Sequence, residues 1–444
     1  MKHLSITFLL SCCFLMNMSV WASDGMVDTS FHSPNGYALW DSEIGNDKGR
    51  DIALQHDGKI IVAGYMTNGT DNDLMVIRFN EDGTLDTEFG TNGVYIYDSG
   101  NGTDGGYAIA LQSDDKILVA GESSDGSDAD AIVLRLDPNG IPDPNFGTNG
   151  IYTYDGGNGY DSIIDLLVQP DGRIVICGSS NNGMDNDLLV MRLDTNGTPD
   201  TSFGSNGIIF YDSGISHDFG LRLILQQDGK ILVSGGSDNG SNTDIIVARF
   251  DTDGTLDTSF GSDGIVTYDG GDYDRGYGID VNSEGKILVT GVRAKSDPNN
   301  IDYDIPVICF DSNGVLDTSF GDNGVALFDG SRSEQCYDLK VQSDDTILVT
   351  GFSGRDIDGT SDWGLVVLKF TQNGTLDTSF GTDGVYRYDP TDNTEWGYGL
   401  ILQTDGKIVV TGQAHNGTDD DVIVMRLFNN PDYLDEMPSL DPVP

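Results

Sequence analysis

One short segment recurs seven times in this chain, marked by Phe31, Phe89, Phe146, Phe203, Phe260, Phe320 and Phe380, at spacings of 57 to 60 residues. In most copies the local text is close to Asp-Thr-Ser-Phe-Gly. A fixed period of this size decides the architecture before any local reading does, because each unit must bury its apolar face against the next. The phase of the repeat is equally informative. Asp28-Thr29-Ser30-Phe31 precedes the first complete unit, and the last unit ends before its own copy. A chain cut out of phase in this way implies a ring closed by its two ends.

Each unit reads as four short strands. Between Gly106 and Asp155, Tyr107 to Gln112 is rich in β-formers. Ser113-Asp114-Asp115-Lys116 is a turn, and Ile117 to Gly121 is an apolar run suited to a strand covered on both faces. Ala131 to Leu136 and Gly150 to Asp155 supply two more strands on either side of Asp137-Pro138-Asn139-Gly140. No helical periodicity intervenes. Four strands per unit of this length fit a β-propeller blade. The second strand begins at Ile60, Ile117, Ile174, Ile231, Ile287, Ile347 and Ile408, which gives seven blades. The seventh lacks a fourth strand, and Gly36 to Asp41 supplies it, removing two exposed sheet edges. The expected fold is all-β: a seven-bladed propeller of four-stranded blades over 23–428, with 23–41 completing blade 7 and a tail at 429–444.

The segments Asp228-Gly229-Lys230-Ile231-Leu232-Val233, Ala248-Arg249-Phe250 and Asp253-Gly254-Thr255-Leu256-Asp257-Thr258-Ser259-Phe260-Gly261 resemble the delta-60 repeat family of bacterial β-propellers. The resemblance is met in register along nearly the whole chain and implies the fold. It brings no catalytic residues. The chain departs from the pattern at Cys309 and Thr346, where basic residues are usual.

Charge narrows the function classes. There are 72 acidic against 23 basic side chains, a net charge of −49. That excludes a nucleic-acid footprint and disfavours an anionic membrane surface. Residues 1–22 read as a signal peptide: Lys2 and His3, an apolar run, then Val20-Trp21-Ala22. The weaker alternative is lipid attachment at Cys12. The expected location is extracytoplasmic, as a monomer. The remaining Cys177, Cys309 and Cys336 suggest buried thiols rather than a disulfide framework.

Most recurring polar residues read as scaffold. The Asp of each Phe motif is placed to cap backbone amides. Arg78, Arg135, Arg192, Arg249, Lys369 and Arg426 recur at the third-strand end as structural ion pairs. A different set carries a functional expectation: Asp47, Asp104, Asp161, Asp218, Asp274, Glu334 and Glu395 precede the first strand of each blade. With Asp73, Asp130, Asp187, Asp244, Asp304, Asp362 and Asp421 they gather on one face, as candidate ligands for Ca²⁺. The competing reading is that each caps its own loop.

The repeat breaks in blades five and six, where Arg293 to Tyr303 and Ser353 to Trp363 read as longer loops. Arg275, Arg293, Lys295, Arg332 and Arg355 gather there with Tyr303, Trp363 and Trp396. This sector is a candidate recognition site for a protein, carbohydrate or anionic partner. Four histidines outside the leader form no spaced metal cluster, and no nucleophile elbow or phosphate loop is present. The expected function is therefore a non-catalytic binding or scaffold module. The alternative is a carbohydrate-active hydrolase or lyase with its site at the channel mouth.

Overall fold

The computed structural model describes residues 24–429 apart from 101, 125, 296–301, 331–332, 358–359 and 391–392, and only the backbone of 295, 355–357 and 360–362. The leader assigned to 1–22 and most of the tail lie outside the described residues. The rest forms seven four-stranded antiparallel sheets arranged as a propeller. Blade 1 runs from the channel outward as Asp47–Leu54, Ile60–Thr67, Asn72–Phe79 and Val94–Tyr97. All seven second strands begin at the isoleucines named above. They are buried on both faces, which is why they are uninterrupted apolar runs rather than alternating ones.

Blade 7 is closed from the other end of the chain. Tyr37–Trp40 pairs with the third strand, with Tyr37 opposite Met425 and Trp40 opposite Val422. The clasp extends further, since the Gly25 amide donates to the Phe428 carbonyl and the Asp28 amide to the Arg426 carbonyl.

The Phe motif locks adjacent blades. Phe89 is fully buried in the apolar cluster shared by blades 1 and 2. The Arg78 guanidinium lies 4.8 Å from the Phe89 ring, donates to Asp86 at 2.8 Å and reaches the Pro138 carbonyl of the next blade. Arg135, Arg192, Arg249 and Arg426 stack on their own Phe in the same way. In blade 5, where Cys309 replaces the arginine, Lys286 pairs with Asp317 at 3.0 Å.

Every innermost strand carries a β-bulge at its third position after the acidic residue. In blade 1 the pairing slips between Gly49 and Asp51, leaving Arg50 as the extra residue. The glycine of the second strand makes this possible: a Cβ on Gly64 would stand 1.8 Å from the Lys48 carbonyl oxygen. The bulged residues are Arg50, Tyr107, Ile164, Leu221, Tyr277, Tyr337 and Tyr398.

One expectation is corrected. The described parts of the segments read as long loops in blades five and six are extended strand, Ile287–Lys295 with Asp302–Phe310 and Ile347–Ile357 with Thr360–Phe370; residues 296–301 and 358–359 lie outside the described residues. Among the described residues the added positions find cross-strand partners, as with Lys295 opposite Asp302 and Arg355 opposite Asp362, so the strands continue into these segments.

Candidate functional site at the channel mouth

The bulges decide what faces the channel, because each extra residue is pushed out of its ladder toward the axis. Arg50 of blade 1 lies 4.2 Å from the Tyr398 ring, 5.7 Å from Tyr107 and 6.0 Å from Tyr337, contacts that reach residues of blades 7, 2 and 6. The next level down closes the channel. Arg222 of blade 4 stands 3.7 Å from Asp51 of blade 1 and 3.4 Å from Asp165 of blade 3, a span across the ring. The same aspartates fix their neighbours, Asp51 accepting the Ile109 amide and Asp165 that of Leu223. Burial pushes Asp165 up to about 6 against the opposing charge of Arg222. The mouth is thus a cup with a charged, hydrogen-bonded floor.

The cup is asymmetric. Blades 5 to 7 fill their half with aromatic side chains. Tyr337 packs on Tyr398 at 4.7 Å and Tyr277 at 5.4 Å, while Phe352 stacks on Trp396 at 4.8 Å and meets Trp363 edge-on at 5.2 Å. Lys48 lies 5.7 Å over the Trp396 ring, and burial pushes its ammonium below the usual lysine range despite nearby Asp420. Blades 1 to 4, with Arg275 of blade 5, leave a recess of about 420 Å³, walled by Arg50, Tyr107, Tyr160, Phe219 and Arg275 with hydroxyl and amide groups of Ser162, Ser179 and Asn186. Such a volume lies within the range of small-molecule pockets.

Two features set the chemistry of the recess. First, Arg50 and Arg275 face aromatic rings: Arg275 lies 4.4 Å from Phe219 and 4.8 Å from Tyr273. Among the described residues neither is ion-paired, whereas Arg78, Arg192, Arg249, Arg387 and Arg426 each hold a carboxylate within 3 Å. Second, the buried Glu122 accepts from the Tyr107 hydroxyl at 2.6 Å and from the Tyr160 hydroxyl. Burial and then the Glu122 charge push both phenols well above the usual tyrosine range.

The residues singled out from sequence are distributed differently. Arg275 walls the recess. Trp363 and Trp396 belong to the aromatic half, and Tyr303 packs on Tyr273 at 6.3 Å. Arg293 sits between blades, donating to the Gly270 carbonyl at 3.0 Å. The side chains of Lys295, Arg332 and Arg355 lie outside the described residues. Arg50, Tyr107, Tyr160 and Glu122 were not anticipated.

The acidic set sits at the innermost strand starts with its side chains fully buried. Each is turned to its own preceding loop: Asp47 accepts the Ser42 amide, Asp104 that of Ser99, Asp161 that of Gly156, Asp218 that of Ser213, Asp274 that of Gly270 and Glu334 that of Gly330. Glu395 opens blade 7 beside Trp396 and is likewise buried.

Comparison with known proteins bears on the fold. The model of a family described as "Domain of unknown function (DUF5122) beta-propeller" matches residues 55–89, 112–146, 169–203, 226–260, 283–320, 342–380 and 403–430. The chain belongs to the DUF5122 β-propeller family. Six of its matched segments run from the end of an innermost strand to the Phe motif and the seventh ends just after the third strand of blade 7, so all leave out the bulge residues of the mouth. Among curated protein sequences none matches this chain. Among similar solved structures, three match to differing degrees. The polysaccharide lyase Uly1 is 12% identical, with 86% of this chain and 90% of that one covered and a TM-score of 0.51. The α-L-arabinofuranosidase Arb93a from Fusarium graminearum is 10% identical over 72% and 92% of the chains, with a TM-score of 0.41. Sqt1 from Chaetomium thermophilum is 11% identical over 88% and 100%, at 0.42. At 12% identity the likeness to the lyase structure concerns the fold alone.

Proposed function

We propose that this DUF5122 propeller is an exported, non-catalytic binding module whose ligand is an anionic carbohydrate seated in the recess of the channel mouth. The observation that carries the reading is the pair of guanidiniums, Arg50 and Arg275, held without ion pairs against aromatic walls in a chain of net charge −49. Elsewhere a surplus of carboxylates would neutralise any cation, so an unneutralised pair selects for an external anion. Guanidinium binds carboxylate or sulfate through paired N–H donors. Tyr107, Tyr160 and Phe219 offer ring faces for the apolar side of a sugar, and Ser162, Ser179 and Asn186 offer hydroxyl-directed hydrogen bonds. Membership of the DUF5122 family adds nothing to this reading beyond the scaffold.

A lyase acting on the same acidic sugar is the competing reading, favoured by the Tyr107–Glu122–Tyr160 constellation. Two observations weigh against it. Both phenols are pushed up, away from the phenolate a general base requires. Both also already donate to Glu122.

Calorimetric titration with oligogalacturonate, a sulfated heparin-derived oligosaccharide and neutral cello-oligosaccharide tests the proposal. Saturable binding of at least one acidic sugar, weakening as salt rises and absent for the neutral one, is expected. Equal binding of the neutral sugar, or no binding of either acid, overturns it. Appearance of unsaturated product in the ultraviolet would replace it with the lyase.

A further inference from the structure

An Asn followed by Gly is the pairing at which a peptide chain most readily modifies itself. The glycine amide nitrogen attacks the Asn Cγ, losing its proton, and the side-chain nitrogen leaves as ammonia. The five-membered succinimide so formed is opened by water at either carbonyl, which leaves Asp or isoaspartate. Glycine favours the step because no Cβ blocks the approach. Two freedoms are needed: a glycine amide that is not already donating, and an Asn side chain able to swing onto it.

This chain carries fifteen Asn-Gly pairs, and the fold removes one freedom or the other from nearly all of them. In the turn after the Phe motif the amide is taken, Gly93 donating to the Phe89 carbonyl at 2.8 Å, and Gly150, Gly207 and Gly324 to those of Phe146, Phe203 and Phe320. Gly36 donates to the Phe31 carbonyl at 3.0 Å. In the turn after the third strand, the amides of Gly140, Gly197, Gly314 and Gly374 donate to the carbonyls of Asp137, Asp194, Asp311 and Thr371. Those of Gly183 and Gly240 are held by the side chains of Asn181 and Asp238. At Asn68 and Asn416 the side chain itself is fixed: Oδ1 accepts two loop amides while Nδ2 donates to two carboxylates. Asn101 lies outside the described residues.

Among the described residues Asn158-Gly159 alone keeps both freedoms. The Asn158 side chain is exposed, and its one hydrogen bond runs from Nδ2 to the Gly156 carbonyl at 3.5 Å, the outer limit for such a contact. The Gly159 amide has no acceptor there. Its φ is +115°, and a Cβ at this position would meet nothing within 4 Å, so the space around it is open.

The pair also sits where a change of charge has a consequence. Tyr160 follows it directly, walls the recess and donates to Glu122. Conversion of Asn158 adds a carboxylate beside a recess whose cations are Arg50 and Arg275. Isoaspartate also inserts a methylene into the backbone just ahead of Tyr160.

We propose that Asn158 is a site of spontaneous deamidation, converting to Asp or isoaspartate while the fold protects the other described pairs, and that the conversion weakens the recess for anions. The second half rests on the binding reading above; the first does not.

Ageing of the full chain in warm, mildly alkaline heavy-oxygen water, followed by peptide mapping, tests the first half. Label should enter at Asn158 roughly tenfold faster than at any other described pair, because elsewhere a held amide or side chain must open first. In urea, with the loops lost, the difference should vanish, and in folded Asn158→Gln the leading signal should disappear. Even labelling across the pairs of the folded chain, another described pair in the lead, or a preference that persists in urea overturns it. Titration of an acidic oligosaccharide into the wild type and Asn158→Asp reads the second half. The variant should bind roughly twofold more weakly or worse at low salt, where the added charge is least screened. Equal affinity overturns that half. A wild type that binds no acidic sugar overturns it together with the binding reading, and leaves the labelling result standing.

Discussion

Individual side chains in this protein divide into those that repeat and those that do not, and the division separates stability from recognition. The Arg–Asp–Phe lock is the repeating kind. Arg249 donates to Asp257 at 2.7 Å with both side chains buried, and Lys230 reaches the same carboxylate at 2.7 Å. Arg249→Met should lower unfolding free energy by about 3 kcal/mol, since removing one partner strands a buried charge; the urea midpoint reads this, and a change near zero would refute the lock. The same residues set an acid limit. Burial alone would push Asp257 up, but the Lys230 and Ser259 hydrogen bonds and the Arg249 charge outweigh it and hold it well below the usual carboxylate range. Asp86, Asp143 and Asp200 are lowered as well. A depressed folded value means that the stability is present above the unfolded value of about 4 and lost as pH falls further. Melting temperature should therefore drop steeply below about pH 4, and a flat profile down to pH 2 would contradict the assignment.

Strands were the most legible level. All seven second-strand starts and the missing strand of blade 7 follow from apolar runs and turn chemistry at fixed spacing, because these segments are buried on both faces and tolerate little else. Removal of residues 24–41 should leave blade 7 with three strands and an open edge, lowering the melting temperature by about 10 °C or more, or yielding aggregates. An unchanged melting temperature in scanning fluorimetry would sink the closure. The mouth was less legible for a specific reason. A bulge adds one residue to a strand and reverses which side chains face the channel, so simple alternation misassigns the column containing Arg50, Tyr107, Tyr277, Tyr337 and Tyr398. Aligning the repeats on the acidic residue and reading three positions on would have shown it. The basic cluster of blades five and six was read instead as one sector. Of it, Arg275 reaches the recess while Arg293 is spent between blades, a difference of inward against sideways projection that spacing alone does not encode.

As a whole, the molecule is a nearly symmetric acidic ring made asymmetric at one mouth. Blades 5 to 7 close their half with stacked aromatics, blades 1 to 4 leave a cup, and Arg222 bridges the ring beneath it. The central claim is that the unpaired guanidiniums of this cup hold an anionic sugar. Titration of an acidic oligosaccharide that binds the wild type into Arg50→Met/Arg275→Met, with melting temperature followed in parallel, tests it most directly. The account predicts affinity at least tenfold weaker, about 1.4 kcal/mol, with the fold retained. Unchanged affinity in a folded double variant would contradict it.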